Sequence, residues 1–381
     1  MDLYFLLQFG LLFLLLLISV HFLINTFVFQ SPSLMDEKVN EHEYPLISIL
    51  IPARNEENNL RSCLNSMVQQ SYPKLEIFIL DDQSTDKTPD IIKEFTKDDS
   101  RIAYLPGKKL PKNWTGKAWA CHQLAEKAKG EYIVFTDADT IHNPHCILSA
   151  YHQAIDDKAD LLSLWPRQLC KTWSEILVVP FIYVLLLTFL PHWMGGRFKS
   201  LGAANGQFLF FRRKAYRNIK GHDSVRNHLV DDVALARLIK IRGYNLKNKD
   251  GSDFITCRMY TNFKDLWSGF SKNLRAGHDS SLVSFLTLSF LQFFLYLMPF
   301  LLVLAHLLGI EPIAKYKSLF GICICQCGVI IAMRCAMSVV YRHHILSAFL
   351  HPLGQILTLV IALNSWRLYA FGRVFWKERK Y

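Results

Sequence analysis

Three groups of carboxylates stand out by their spacing. Asp81-Asp82 follows directly on the apolar run 75–80, and Asp137-Ala138-Asp139 follows directly on Tyr132–Thr136. A third pair, Asp231-Asp232, opens a stretch of helical periodicity, VALARLIKIRG, that ends at Gly243. In an extended chain, side chains two apart point to the same side, so Asp137 and Asp139 can share one ligand. Hard oxygen donors in that arrangement suit Mg2+ or Mn2+ carrying a diphosphate. A lone Asp-x-Asp is a weak sign, because short acidic pairs cap helices and turns. One that follows an apolar strand, downstream of a strand ending in Asp-Asp and a Ser-Thr-Asp turn, is much stronger. Asp231-Asp232 also suits a helix N-terminus, where the dipole alone favours acidic residues.

The elements that must position these groups alternate. Residues 46–51 form a β-branched run, and Glu57–Gln70 has helical spacing. Strands are expected at 75–80, 102–105 and Tyr132–Thr136, and helices at Asp86–Asp98 and Ala118–Lys129, the latter ended by Gly130. Strands alternating with helices imply a parallel sheet with helices on its faces, an α/β fold. In open sheets of this kind ligands bind at the carboxyl ends of the strands. The two strand-end acidic clusters therefore converge on one cleft. No GxxxxGK[ST] is present, and no GxGxxG follows the first strand, so the common phosphate-binding loops are excluded.

The composition points to a membrane. The chain has 381 residues, 51% of them hydrophobic, and a formal charge of +11. Residues 1–30 read as an uncleaved transmembrane anchor and 31–45 as a linker. The catalytic domain is expected at 46–280, with 175–194, broken by Pro180 and Pro191, lying at the interface instead of crossing. Apolar runs at 283–308, 319–341 and 345–366 form a membrane region over 281–370, and 371–381 is a basic tail. Each run approaches or exceeds the ~20 residues that cross a bilayer. The stretch 195–275 alone carries a positive surplus as large as that of the whole chain. Beside a membrane, such a block suits anionic headgroups or a nucleotide diphosphate. No nucleic-acid motif accompanies it, so nucleic acid is not expected as a partner. Nine scattered cysteines without a CxxC pair read as reduced thiols.

IPARNEE, LDDQSTDKT, TGKAWAC, FTDADT and VDDVALARLIKIRGY, in that order over residues 46–245, resemble the motifs of family-2 glycosyltransferases. That resemblance implies the Rossmann-like GT-A fold, a nucleotide-sugar donor and inversion at the sugar. Arg258-Met259-Tyr260, Ser271-Lys272-Asn273 and Trp376-Lys377 with Tyr381 look like a narrower group, the membrane-bound bacterial enzymes that glycosylate carotenoid acids and their hopanoid-associated relatives. Carried over by position, Pro52, Arg54 and Glu56 meet the nucleotide, Asp82 holds uracil or ribose, and Lys117 lies near the donor. Asp137 and Asp139 match the metal-binding motif, with Asp139 the direct ligand. Asp232 is the general base. Asp231 stands where the family usually has Glu, which puts only its supporting role in question. The Gln-x-x-Arg-Trp motif of processive synthases is absent, so synthesis of a long polymer is disfavoured.

Asn205-Gly206-Gln207, in a loop of small residues, and Lys272 are candidates for the acceptor site together with Asp231. Trp165, Trp173, Trp193 and Trp267 could line an acceptor channel or form an interfacial belt. The expected protein is a hexosyltransferase in the cell membrane, multi-pass, with its catalytic domain towards the cytosol. It would move glucose from UDP-glucose to a lipophilic acceptor in the bilayer, first a carotenoid acid or other terpenoid. A glycerolipid, ceramide-like or polyprenyl-phosphate acceptor is the alternative within the class. A membrane protein with a degenerate transferase domain is the alternative outside it. Three later spans would leave the basic tail outside, against the preference of cations for the cytosol. A turn back near Pro299 within 283–308 is therefore the expected topology. Oligomeric state leaves no trace in the sequence.

Overall fold

The computed structural model describes residues 3–35, 44–194, 202–276, 281–311, 313, 317–372, 375–376 and 379–380. The chain divides into two compact units. One comprises Val28–Leu169 and Met194–Met259, and the other Met1–Phe27, Cys170–Trp193 and Tyr260–Tyr381.

The first unit is built on a seven-stranded sheet. Its strands are β1 (Ile47–Ala53), β2 (Leu75–Asp81), β3 (Ile102–Pro106), β4 (Tyr132–Thr136), β6 (Leu161–Trp165), β8 (Phe208–Arg212) and β9 (Leu246–Asp250), in the order β3-β2-β1-β4-β8-β6-β9. β1 to β4 are mutually parallel, and β8 alone runs antiparallel, between β4 and β6. Alternation along β1 explains the two layers. Ile47, Ile49 and Ile51 pack with Leu60 and Leu64 of α2 (Leu60–Val68), Ile92 and Phe95 of α3 (Thr88–Asp98) and Ile147 of α5 (Cys146–Asp156). Leu50 faces the opposite way, towards Ala120 and Leu124 of α4 (Gly116–Lys127), Tyr216 of α8 (Arg213–Asn218) and Leu235 of α9 (Asp231–Ile241). Both faces are covered, which is why the strands read as unbroken apolar runs. A small second sheet joins β5 (Thr140–His142), β10 (Ile255–Cys257) and β7 (Arg167–Gln168).

The topology sets the site. From β1 the chain winds to β2 and β3 on one side, while β4 lies on the other side of β1. The crevice outside the carboxyl ends of β1 and β4 is therefore the switch point of the sheet. β8 arrives antiparallel, with Phe208 opposite Thr136, so the loop before it meets the end of β4.

Two expected features differ in detail. The helix expected from Glu57 begins at Leu60. The Glu57 N–H is donated to Asp86 Oδ2, 3.0 Å away, instead of to a helical partner. The helix expected over Ala118–Lys129 spans Gly116–Lys127 and is ended by the extended Ala128, not by Gly130. At Gly130 a Cβ would lie 2.7 Å from Leu46 O and Ser48 N. The glycine lets the chain pass close against β1.

The second unit is helical. It contains α1 (Leu3–Val28), α6 (Trp173–Val178), α7 (Phe181–Phe189), α10 (Phe263–Ala276), α11 (Leu282–Gln292), α12 (Met298–Leu307), α13 (Lys317–Val340), α14 (Leu346–Phe349) and α15 (His351–Ala370). Three helices among the described residues are long and apolar enough to cross a membrane: Tyr4–Val28, Leu282–Leu307 and Lys317–Val340. The expected turn back near Pro299 does not occur. Leu282–Leu307 is one continuous run of 26 residues, about 39 Å long at 1.5 Å per residue. A π-helical turn, Phe293–Leu297, joins α11 to α12 just before Pro299, the kind of local widening that accommodates an irregularity in a helix. α15, which contains Gln355, Asn364 and Arg367, is not among the three. Residues 175–194 do not form one long helix, because α6 and α7 meet at Pro180. Residues 373–374, 377–378 and 381 of the basic tail, and residues 36–43 of the linker, lie outside the described residues.

Arg334 of α13 is buried, with its guanidinium 4.9 Å over the Phe181 ring. It donates to Pro180 O at 3.4 Å and to Ser347 O at 3.1 Å. All nine cysteines are free thiols.

Gly130→Ala tests the close packing against the start of β1. Overpacking against backbone atoms is expected to destabilise by about 1–3 kcal/mol, read as a lowered Tm of the full-length protein in detergent. A Tm equal to wild type would contradict the close approach.

Candidate active site

The first wall comes from the loops after β1 and β2, which lie side by side because Ala53 pairs with Asp81. Pro52 sits in β1 opposite Leu80. Asn55 and Gln83 both adopt left-handed backbone, with φ of 52° and 60°, which turns each loop sharply at the strand end. The turns then bond to each other. Asn55 N–H donates to Ser84 Oγ at 2.9 Å, and Asn55 Oδ1 accepts from Thr85 N–H at 2.9 Å. Arg54 Nη1 donates to the backbone O of Asp82 at 2.6 Å, and Glu56 N–H to Thr88 Oγ1 at 2.8 Å. Asp81 and Asp82 are both buried. The strand–Asp-Asp–Ser-Thr-Asp segment is thus the frame on which Arg54 and Glu56 are held.

The second wall is the end of β4. Asp137 and Asp139 are half-buried on either side of the buried Ala138. The turn is held by Thr140 Oγ1, which donates to Asp137 O at 2.7 Å. Lys117, in the first turn of α4, puts its Nζ 2.5 Å from Asp137 Oδ1. Burial acts to lower the proton affinity of the Lys117 ammonium, but Asp137, Asp231 and Asp232 outweigh it and raise it well above the ordinary value.

The carboxylates also act on nearby thiols. Burial, followed by the charge of Asp139, pushes Cys63 and Cys257 up, and Asp137 and Glu56 act on both in the same direction. Three carboxylates and one ammonium thus meet at the strand ends, with negative charge in excess. Hard oxygen donors with a surplus of negative charge fit a divalent cation such as Mg2+ or Mn2+.

The third wall is the start of α9. Asp232 is half-buried. Its Oδ2 accepts the Gly206 N–H at 2.7 Å, and its Oδ1 accepts the Val233 N–H at 2.8 Å. A Cβ on Gly206 would lie 2.9 Å from Asp232 Oδ2, so the small-residue loop closes directly on this carboxylate. Burial, with the charge of Asp231 second, raises Asp232 to about 6. Asp231 is buried and moves the opposite way. Burial opposes its ionisation, but His222 and Lys117 together lower it.

The structure thus brings Lys117, Asp137, Asp231 and Asp232 together, with Gly206 against Asp232. The other expected residues are distributed differently. Asn205 turns its Oδ1 to the Gln207 N–H at 2.9 Å. The Gln207 side chain is buried, accepting from Gln168 Nε2 at 2.7 Å and donating to Cys257 Sγ at 2.9 Å. Lys272 belongs to α10 of the helical unit. Trp165 is buried and donates to Asn248 Oδ1 at 2.9 Å, whereas Trp173 and Trp193 are exposed. Sequence reasoning missed His222, Tyr216 and Cys121, which surround Asp231. They come from three separate elements, and no spacing in the sequence marks them.

Residues 48–220 match the family model described as Glycosyl transferase family 2. That match covers a little under half of the chain. The chain is similar to the 4,4'-diaponeurosporenoate glycosyltransferase of Staphylococcus aureus (strain USA300), at 24% identity over 366 residues, 93% of each chain. It is also similar to the protein of that name from Staphylococcus haemolyticus (strain JCSC1435), at 27% identity over 258 residues. That second match spans 65% of the relative's length. Among solved structures, the mannosyltransferase PcManGT from Pyrobaculum calidifontis, in complex with GDP-Man and Mn2+, superposes with a TM-score of 0.53 at 15% identity. The superposition covers 96% of this chain and 99% of that one, and shows a shared fold. The chain has the GT-A fold, and its segment 48–220 is similar to family-2 glycosyltransferases.

Gly206→Ala forces the loop or the Asp232 carboxylate to move. With Asp232 as the group that acts on the acceptor, misplacement of about 1 Å would cost up to about 100-fold in rate. Glycosyl transfer by this variant is expected to fall at least about tenfold. Wild-type turnover would show that the geometry at Asp232 does not matter.

Proposed function

We propose that this chain is a glycosyltransferase that moves a hexose, glucose from UDP-glucose, with inversion onto a lipid acceptor dissolved in the membrane, a carotenoid carboxylic acid before other terpenoids. The observation that carries the reading is the meeting of Lys117 and Asp137 with Asp232 at one end of the sheet. Such a meeting suits a donor diphosphate and an acceptor group reacting across a short gap. The acceptor class is supported by the name of the Staphylococcus aureus relative, whose match runs along 93% of each chain. The three membrane-competent helices support it as well.

In this reading Pro52, Arg54, Glu56 and Asp82 line the nucleotide side. Lys117 sets a positive charge beside the departing diphosphate. Asp137 and Asp139 would hold a divalent cation, Mg2+ or Mn2+, which supplies further neutralisation of the leaving group. Asp232 takes the proton from an acceptor hydroxyl, or orients an acceptor that is already ionised. A base with proton affinity raised towards neutrality suits the first task, because efficiency peaks when the pKa lies near the working pH. The loop at Asn205 and Gln207 borders Asp232 on the acceptor side, with Asp231 behind it.

The same reading gives a topology. With 282–307 and 317–340 as the two later crossings, the catalytic segment and the basic tail fall on one face of the membrane, the cytosolic one. Arg342, Arg367, Arg373, Lys377, Arg379 and Lys380 then lie inside, as cations prefer. Lys315 and Lys317 lie outside. A reporter fused after Tyr381 that reads as external would exclude this arrangement.

Mass spectrometry of lipids from cells with and without the chain tests the whole reading. A hexosylated terpenoid acid that depends on the chain is the expected result, and a hexosylated glycerolipid instead would replace the acceptor. Asp139→Ala is expected to lower transfer at least about 100-fold, on the scale of losing a main electrostatic group. Chelator is expected to abolish transfer, with Mg2+ or Mn2+ restoring it. Full activity in chelator would remove the cation from the mechanism.

Asp232→Asn reports on the acceptor. With a hydroxyl acceptor, transfer is expected to fall roughly 10²–10⁴-fold, the usual worth of a general base, while UDP affinity changes little. The wild-type rate is then lost as pH falls through about 6, because the base must be unprotonated. With a carboxylic acid, already ionised at pH 7, the Asn variant loses much less. Wild-type transfer to a hydroxyl acceptor in Asp232→Asn would leave Asp232 only its bonds to the Gly206 and Val233 N–H groups.

A further inference from the structure

Behind Asp231 lies a buried chain of polar groups that the transfer reaction does not touch directly. His222 is in the 3-10 turn Gly221–Val225, and Tyr216 is in α8. Tyr216, His222 and Asp231 are 5%, 1% and 6% exposed. The Tyr216 hydroxyl lies 2.7 Å from His222 Nδ1, and it also accepts the backbone N–H of His222 at 3.1 Å. His222 Nε2 lies 3.4 Å from Asp231 Oδ2. The ring is held edge-on against Phe135 of β4, centroids 4.7 Å apart, and so rests on the strand that ends in the Asp137–Asp139 turn.

The carboxylate of Asp231 sets the direction of the chain. A neutral ring carries one proton, and the carboxylate facing Nε2 favours it there. Nδ1 then accepts the Tyr216 hydroxyl hydrogen, while the Tyr216 oxygen accepts from the His222 backbone. Burial keeps the imidazole neutral against the pull of Asp231, so a neutral donor faces an ionised carboxylate. The turn is shaped for this contact. Gly221 has φ +47°, and a Cβ there would lie 2.1 Å from Tyr216 Cζ, so only glycine allows His222 to close on the tyrosine. On the other side of Asp231, Lys117 feels both Asp231 and Asp232.

We propose that Tyr216 and His222 are positioning residues that hold Asp231 in place, and through it Asp232 and Lys117. The proposal rests on the reading of Asp232 and Lys117 as the groups that act on acceptor and donor. A fixed negative charge at Asp231 keeps Asp232 basic and draws the Lys117 ammonium towards the strand ends. Without its donor, Asp231 can rotate or compete with Asp232 for a proton. Cys121 of α4 completes a trio with His222 and Asp231 whose ligand atoms all lie within 4.8 Å of one another, so a bound transition metal is the competing occupant and part of the test.

The experiment uses the full-length protein in nanodiscs with UDP-glucose and extracted lipid acceptor, and active sites are counted by UDP binding. His222→Leu is expected to lower kcat per UDP-binding site by about 10- to 100-fold, the range for a hydrogen bond to a charged group. KM for UDP-glucose should stay within about twofold. His222→Gln, whose amide can accept from Tyr216 and donate to Asp231, should recover most of the rate, and Tyr216→Phe should lose several-fold. A merely structural histidine would lose UDP-binding sites, not kcat per site, and Gln would rescue no better than Leu. Either of those results overturns the proposal, as does unchanged kcat in His222→Leu. If His222→Leu yields no folded protein, an unchanged kcat in Tyr216→Phe overturns it equally. Stoichiometric zinc in the wild type that is lost in His222→Leu would make the trio a metal centre and end the relay. If the wild type transfers nothing from UDP-glucose, the functional reading fails and the relay falls with it.

Discussion

Carboxylates repel one another, and the catalytic unit gathers several of them at one end of a sheet. The interaction that makes this tolerable is the contact of the Lys117 ammonium with Asp137, reinforced by Asp231 and Asp232. Its position follows from α4, whose first turn Thr115 caps by accepting the Ala118 N–H at 3.4 Å. Lys117 comes one residue after the first residue of the helix, so the cation is presented where the strand ends converge. His222 and Lys117 hold Asp231 down against its burial, while burial, with the charge of Asp231 second, keeps the neighbouring Asp232 reluctant to lose its proton. Two adjacent carboxyl groups are thus driven apart in proton affinity by what surrounds each. Such divergence is the usual way for one site to contain both a fixed charge and a usable base.

The same end of the sheet depends on close backbone approach. Gly206 brings its N–H against Asp232, and the loop carrying it is anchored where Asn205 N–H donates to Ser163 Oγ at 2.9 Å. Behind it, Thr136 Oγ1 donates to Gln207 O at 2.8 Å, tying that loop to the last residue of β4. The antiparallel direction of β8 makes these contacts possible, since a parallel strand would start at the opposite edge. One reversed strand in a mostly parallel sheet therefore has a chemical consequence.

The helical unit shows how polar groups are accommodated among apolar helices. Arg334 has carbonyl acceptors and an aromatic face, and the Gln355 amide donates to Gln292 Oε1 at 3.0 Å. In a bilayer such groups must find partners inside the protein, because lipid offers none. The π turn before Pro299 follows the same rule, keeping Leu282–Leu307 helical through a residue that lacks an N–H.

Periodicity along the chain was enough to read the strands β1 to β4, the α/β class and the placement of Asp82, Asp137 and Asp139 at strand ends. These depend on local spacing and on a general rule about parallel sheets, both of which a sequence displays. The apolar runs were equally legible, because crossing length is a property of consecutive residues. The path of 282–307 was not, since charge counting favoured a turn back and only the backbone shows that the helix continues. The surroundings of Asp231 and Asp232 were decided by tertiary structure alone. Gly206 lies 26 residues from Asp232, and Tyr216, His222 and Cys121 come from three other segments. Their meeting depends on the reversed β8 and on a glycine turn at Gly221, neither of which has a signature in spacing. Gln207 shows the converse, since its neighbours along the chain suggested an open loop, while the fold turns its amide inward to Gln168 and Cys257. A sequence records which groups are available, but the direction a side chain faces at a loop is set by contacts with residues far away in the chain.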